Sequence, residues 1–152
     1  MPTISKDTSL SEITLRRYEK PGSLSERALV RKLCLSLGIL QPGDSRDIVV
    51  DILDILIRES KNKNLVSAGE IEKKLVSSRK KHNLSASGTA SSNIRRQLRR
   101  LRDIFLVEKI KNKYRITEFY SLKELFEEKI MKYLVNSIQE RIYEYCDAID
   151  KK

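Results

Sequence analysis

The sequence predicts a mainly α-helical chain carrying one small β-hairpin, and three observations lead there. Apolar residues recur at spacings of three and four through most of the chain, which is the period of helices with one buried face. One stretch near residues 106–117 instead sets β-type residues on both sides of a short polar connection. Gly, Pro and polar clusters punctuate the segments between. At 152 residues the length suits one domain with an extra helix, and 39% hydrophobic residues suffice for a core.

Residues 1–22 are rich in Ser, Thr and charge, break at Pro21-Gly22, and read as an N-terminal arm with at most one short element. In residues 23–45 the run LSERALVRKLCLSLG spaces Leu24, Ala28, Leu29, Leu33 and Leu37 as the inner face of a buried helix, with Gly38 as its stop and a turn after it. Ile48, Ile52, Leu53, Ile55 and Leu56 then trace a second helix over about 46–60. Leu65-Val66 is a candidate short strand before Ser67-Ala68-Gly69-Glu70, whose S-x-x-E form is a capping box. The third helix turns Ile71, Leu75 and Val76 inward, and the polar run KKHNLSASG follows as a linker.

From Thr89, Ala90, Ile94, Leu98, Leu101 and Phe105 form one apolar stripe, with Thr89 or an earlier serine as the cap. The other surface of that helix carries Ser91, Ser92, Arg95, Arg96, Arg99, Arg100 and Arg102. LVEKI and YRIT flank Lys111-Asn112-Lys113 as a hairpin. Residues 119–152 close the chain, with a helix from Ser121 to Ile149 whose stripe runs Leu122, Phe126, Met131, Leu134, Ile138, Ile142, Tyr145 and Ile149. At 1.5 Å per residue such a helix extends about 43 Å.

The net charge of +10 is local. Residues 79–115 hold twelve basic groups against Asp103 and Glu108 alone, an excess equal to that of the whole chain, whereas residues 119–152 are nearly neutral. Concentrated charge of this kind is the footprint of a polyanion partner. The basic block has no Trp/Phe/Leu face for a membrane surface, and no run is long and apolar enough to span one. With no signal-type leader, a cytoplasmic location is expected.

The chemistry-bearing residues argue against an enzyme. There is no Gly-rich phosphate loop, and the lone His82 excludes a Ser/His/Asp set or a shared metal, leaving it at most a phosphate contact. Asp47, Asp51 and Asp54 share one helix, yet helix-surface acids are ordinarily solvated or paired. Cys34 and Cys146 lie far apart in apolar surroundings and are expected to be reduced core residues. No metal or cofactor is expected.

The order helix, capped helix, arginine-bearing helix and basic hairpin, and above all the text SNIRRQLRRLRDIFLVEKIKNKYRITE, resembles the winged helix-turn-helix family of prokaryotic and archaeal transcriptional regulators over residues 46–118. Two departures stand out. About nine residues separate the second and third helices of that unit, where the family has a short turn, and Phe105 occupies a corner where it often has glycine, which implies a different corner conformation. The resemblance implies sequence-preferring binding of duplex DNA. The arginine-bearing helix would enter the major groove, with Ser91, Ser92, Arg95, Arg96 and Arg99 reading bases and Arg100 and Arg102 meeting phosphate or pairing within the chain. Lys109, Lys111, Lys113 and Arg115 would form a wing on the sugar-phosphate backbone. A homodimer through the C-terminal helix would place two such units on one duplex, unless that helix folds back on its own chain. RNA binding and protein assembly are the alternative uses of the same unit.

Overall fold

The computed structural model describes residues 7–152, so the first six residues of the N-terminal arm lie outside the described residues. The central element follows from composition. Seven of the nine residues of the run IVVDILDIL are apolar, and a helix with so wide an apolar surface belongs at the centre of a core, its acidic face needing partners of its own. It forms α2 (Ile48–Ser60), buried at every residue from Ile48 to Leu56. Around it lie α1 (Glu26–Ser36), α3 (Ala68–Lys81), α4 (Ser91–Asp103) and a three-stranded antiparallel sheet of β1 (Val66–Ser67), β2 (Val107–Ile110) and β3 (Lys113–Ile116). The sheet order is β1-β3-β2, so the two-residue β1 pairs with the far strand of the hairpin, Val66 opposite Tyr114 and Ser67 opposite Lys113.

The acids on α2 are neither solvated nor on the surface. Asp51 is 1% exposed and Arg79, near the end of α3, is 5% exposed. Asp51 accepts from Arg27 Nε at 2.8 Å and from Arg79 Nη1 at 2.6 Å. Asp47 accepts from Arg27 Nη2 at 3.0 Å and from Arg79 Nη1 at 3.1 Å, while Arg79 Nε donates to the Ser85 carbonyl of the α3–α4 loop. Burial tends to raise the Asp47 carboxyl, but hydrogen bonds from Arg27 and Arg79 outweigh it and hold it below the usual carboxylate range. The Asp51 hydrogen bond, against burial, raises the Arg27 guanidinium further above its ordinary value. Asp54 takes a separate partner, Arg58, one turn along.

Local signals place the surrounding helices. Ser67 caps α3 by accepting from the Glu70 N–H while the Glu70 carboxylate returns to the Ser67 N–H, completing the expected capping box. The inner face of α3 is Ile71, Leu75 and Arg79, and Val76 is exposed instead of buried. In α1, capped by Ser25, the buried side is Val30, Cys34 and Leu35, whereas Leu24 and Leu29 are 38% and 40% exposed. The rotation follows from Arg27: its bonds to Asp47 and Asp51 turn that side of α1 toward α2. Cys34 is a core residue, its thiol pushed up to about 12 by burial, but Cys146 is exposed.

The arm is docked without regular structure. Arg16 donates to the carbonyls of Leu35 and Leu40 and to Gln41. Gly38 has φ +71°, and a Cβ there would meet Thr14 Cβ at 2.6 Å, so glycine both ends α1 and admits the arm across it.

Beyond β3, a 3-10 turn (Thr117–Phe119) leads to one continuous helix made of α5 (Leu122–Leu125), a π-helical segment (Phe126–Val135) and α6 (Asn136–Asp150). The widened middle moves the inner face to Leu125, Ile130 and Leu134, spaced five and four, and leaves Met131 outside. The proximal half therefore folds against its own chain. α6 does not: none of its residues is buried, and Ile142, Tyr143, Tyr145 and Ile149 are exposed. No helix among the described residues is long and apolar enough to cross a membrane.

Removing one member of a buried charge cluster strands the others, which typically costs about 3–5 kcal/mol. Asp51→Ala is accordingly expected to lower the urea midpoint by an equivalent of about that size. Asp47 titrates lower in the folded chain than its ordinary 3.8, so its contribution is present above that value and disappears as pH falls through the lower folded value. Acid unfolding of the wild type is expected below about pH 4, and an Asp47→Asn chain should show a smaller loss over that window.

Candidate nucleic-acid interface

The middle of the stripe on α4 docks as its spacing requires: Ile94, Leu98 and Leu101 are fully buried, with exposures of 0%, whereas Ala90 is exposed just before the helix. That leaves the opposite surface to Ser91, Ser92, Arg95, Arg96, Arg99 and Arg102, all exposed. The N-terminus differs from expectation. Ala90 is the capping position with no side-chain bond, and Thr89 turns away to donate to the Ala86 carbonyl. Asn93 instead ties the start of α4 to the loop, Nδ2 donating to the Gly88 carbonyl at 2.7 Å.

At the other end, Phe105 leaves the apolar stripe with φ +65°. The left-handed corner is thus kept without glycine, contrary to the expectation of a different conformation. Its ring is held by an edge-on contact with Tyr133 of the C-terminal helix, centroids 5.3 Å apart. The Phe105 carbonyl accepts from Thr117 Oγ1, and both contacts oppose the strain of a non-glycine residue there.

The hairpin closes through Lys111 and Asn112, both with positive φ, in the two-residue turn whose twist suits antiparallel strands. Strand alternation then divides the four wing residues. Lys109 pairs with Tyr114 and shares the face of Val107 and Ile116 toward α4, its ammonium over the Tyr114 ring at 5.7 Å. Lys111 is exposed at the tip. Lys113 and Arg115 occupy the other face, with Lys113 opposite Ser67 and near Glu70. Arg115 is engaged within the chain, bonded to Glu108 at 2.6 Å and stacked on Phe119 at 4.7 Å.

Two depressions mark where the remaining cations converge. Arg95 and Lys109 border one, with Asn112 and the start of α3. Arg99, Arg102 and Lys109 border a larger groove of about 600 Å³ between α4 and the hairpin, together with Lys129 from the C-terminal helix. Lys129 had no local signal, because only the return of that helix past Phe105 brings it there. Among the described residues, Arg95, Arg99, Arg102 and Lys109 form no ion pair, while Glu108 is taken by Arg115 and the Glu118 N–H, and Lys129 is 3.5 Å from Glu118. Arg100 stands apart: it donates to the Ile39 carbonyl and to Gln97, anchoring α4 to the turn after α1. Arg96 faces the far flank of α4, bonded to Asn93.

The chain is thus a mainly helical protein with a small three-stranded sheet, a long C-terminal helix and a cationic face between α4 and the hairpin. It matches no family model, no curated protein and no solved structure.

Proposed function

We propose that the chain is a winged-helix protein that binds duplex DNA with sequence preference, as a dimer and in the manner of a transcriptional regulator. The element order α2, β1, α3, α4, β2, β3 with β1 paired to β3 supports the winged-helix reading. The single observation that carries the DNA reading is the convergence of Arg95, Arg99, Arg102 and Lys109, free of carboxylate partners, between an exposed helix surface and a hairpin. A major groove about 12 Å wide admits a helix such as α4. Ser91, Ser92, Arg95 and Arg99 then face base edges, where short hydroxyls allow close approach and a guanidinium bonds guanine through two donors. Lys109 and Lys111 approach the backbone beside it. Regulation of transcription follows from the resemblance, not from the chemistry of these residues.

The dimer rests on α6. α6 is the distal end of the continuous C-terminal helix, and none of its 15 residues is buried, whereas helices are held chiefly by packing of an apolar face. A second copy offers the same near-neutral surface with Ile142, Tyr145 and Ile149 along it, and a two-fold pairing would set two α4 helices on one duplex.

Binding of fluorescent duplex DNA is expected to weaken steeply with salt, with a slope reflecting roughly four to ten phosphate contacts per dimer. Arg99→Ala should narrow the gap between preferred and random sequences, and Lys111→Ala should weaken both equally. Equal or tighter binding of duplex RNA or single strands in the same titration would sink the duplex-DNA assignment. Light scattering should give twice the chain mass for wild type and the single chain mass for an Ile142→Glu, Ile149→Glu variant. A wild-type monomer at tens of micromolar removes the dimer.

A further inference from the structure

A second cationic site lies on the opposite flank of α4 from the hairpin. A cavity of about 610 Å³ is walled by Arg46 just before α2, Ser85 and Ser87 of the α3–α4 loop, Asn93 and Arg96 of α4, and the buried Arg79. The loop that forms its rim is pinned from both sides. Gly88 has φ +84°, and a Cβ there would press to 3.1 Å on both Asn93 Nδ2 and Ile48 Cγ1, so only glycine lets the loop close against the starts of α2 and α4. Ser85 Oγ donates to Ser87 Oγ and accepts from the Ser87 N–H, holding the two hydroxyls side by side.

The electrostatics of the cavity are unbalanced. Asp47 also lines it, but its two oxygens are occupied by Arg79 and Arg27. Arg46 and Arg96 form no ion pair among the described residues, and Arg96 is held only by Asn93. Arg79 commits Nε to the Ser85 carbonyl and Nη1 to Asp47 and Asp51, and Nη2 has no hydrogen-bond partner among the described residues. No solvent-inaccessible side-chain nitrogen or oxygen there lacks a partner, so Nη2 is reached from outside, and Arg79 is one of the residues that line the cavity. Two unpaired guanidinium groups, a spare donor on a third that is 5% exposed, and the Ser87 hydroxyl, which Ser85 orients by donating to it, suit a tetrahedral oxyanion.

We propose that this cavity is a phosphate-binding subsite formed by Arg46, Arg79, Arg96, Ser85 and Ser87. Where the phosphate belongs to duplex DNA, the inference rests on the reading above: with α4 in the major groove, the hairpin meets one strand and this cavity meets the other. A small phosphorylated molecule offers the same chemistry.

Arg46 and Arg96 are exposed, so the double variant Arg46→Gln, Arg96→Gln leaves the core untouched. In a duplex titration its salt slope should be shallower than wild type by about two per protomer, in addition to any change from Lys111→Ala. In a parallel titration of isotope-labelled protein with inorganic phosphate, the Ser87 and Gly88 amide signals should move for wild type and stay still for the variant. A reduced slope supports the subsite with DNA as the source, whatever the phosphate titration shows. A wild type that ignores duplex DNA but shows the amide shifts overturns the DNA reading alone and assigns the cavity to a free phosphorylated molecule. An unchanged salt slope, or no duplex binding at all, combined with unmoved Ser87 and Gly88 signals overturns the subsite.

Discussion

The arrangement depends on two buried carboxylates at the start of the central helix. Asp47 sits at the N-cap of that helix and Asp51 lies in its first turn, and only Arg27 from the first helix and Arg79 from the third make their burial tolerable. Apolar packing alone would let these helices slide and rotate at modest cost, whereas forked hydrogen bonds between planar groups tolerate little displacement. The same Arg79 reaches the Ser85 carbonyl, so the cluster also sets the loop that delivers α4. The angle of the arginine-bearing helix is thereby tied to a charge network on its far side.

Charge alone would not make this surface a partner site. Eight of the twelve basic groups between residues 79 and 115 are put to three different uses. Arg79, Arg100 and Arg115 are spent on internal bonds to Asp51, Ile39 and Glu108. Arg95, Arg99, Arg102 and Lys109 gather between helix and hairpin. Arg96, with Arg46 from outside the block, lines the opposite flank of the helix. Cations therefore line both flanks of α4, and concentrated positive charge of this kind attracts a polyanion.

Much of this was legible one segment at a time. The Ile94, Leu98, Leu101 stripe, the Ser67–Glu70 capping box and the hairpin about Lys111 are set by neighbours within a few residues, so periodicity and cap chemistry are enough to find them. The division of the wing was also within reach, since alternation along a strand already puts Lys109 on one face and Arg115 on the same strand face as Lys113. The inward side of α1 was not, because Leu24 and Leu29 fit a helical stripe as well as Val30 and Cys34 do, and the choice lies with Arg27 and a partner 24 residues away. Of the stripe after Leu122, Leu134 is buried and Phe126 half-buried, but five-residue hydrogen bonding widens the helix and brings in Leu125 and Ile130 in place of Met131.

By itself the sequence determined the kinds of element, their order and the placement of surplus positive charge, because each of these follows from side-chain chemistry over a turn or two of chain. The tertiary structure alone decided which cations remain free. That outcome depends on distances between groups remote in sequence, on whether a carboxylate such as Asp51 or Glu108, or a carbonyl such as that of Ile39, comes within hydrogen-bond reach of a given guanidinium. No local pattern encodes such distances, since burial and pairing of charge are properties of the folded surroundings and not of the residue.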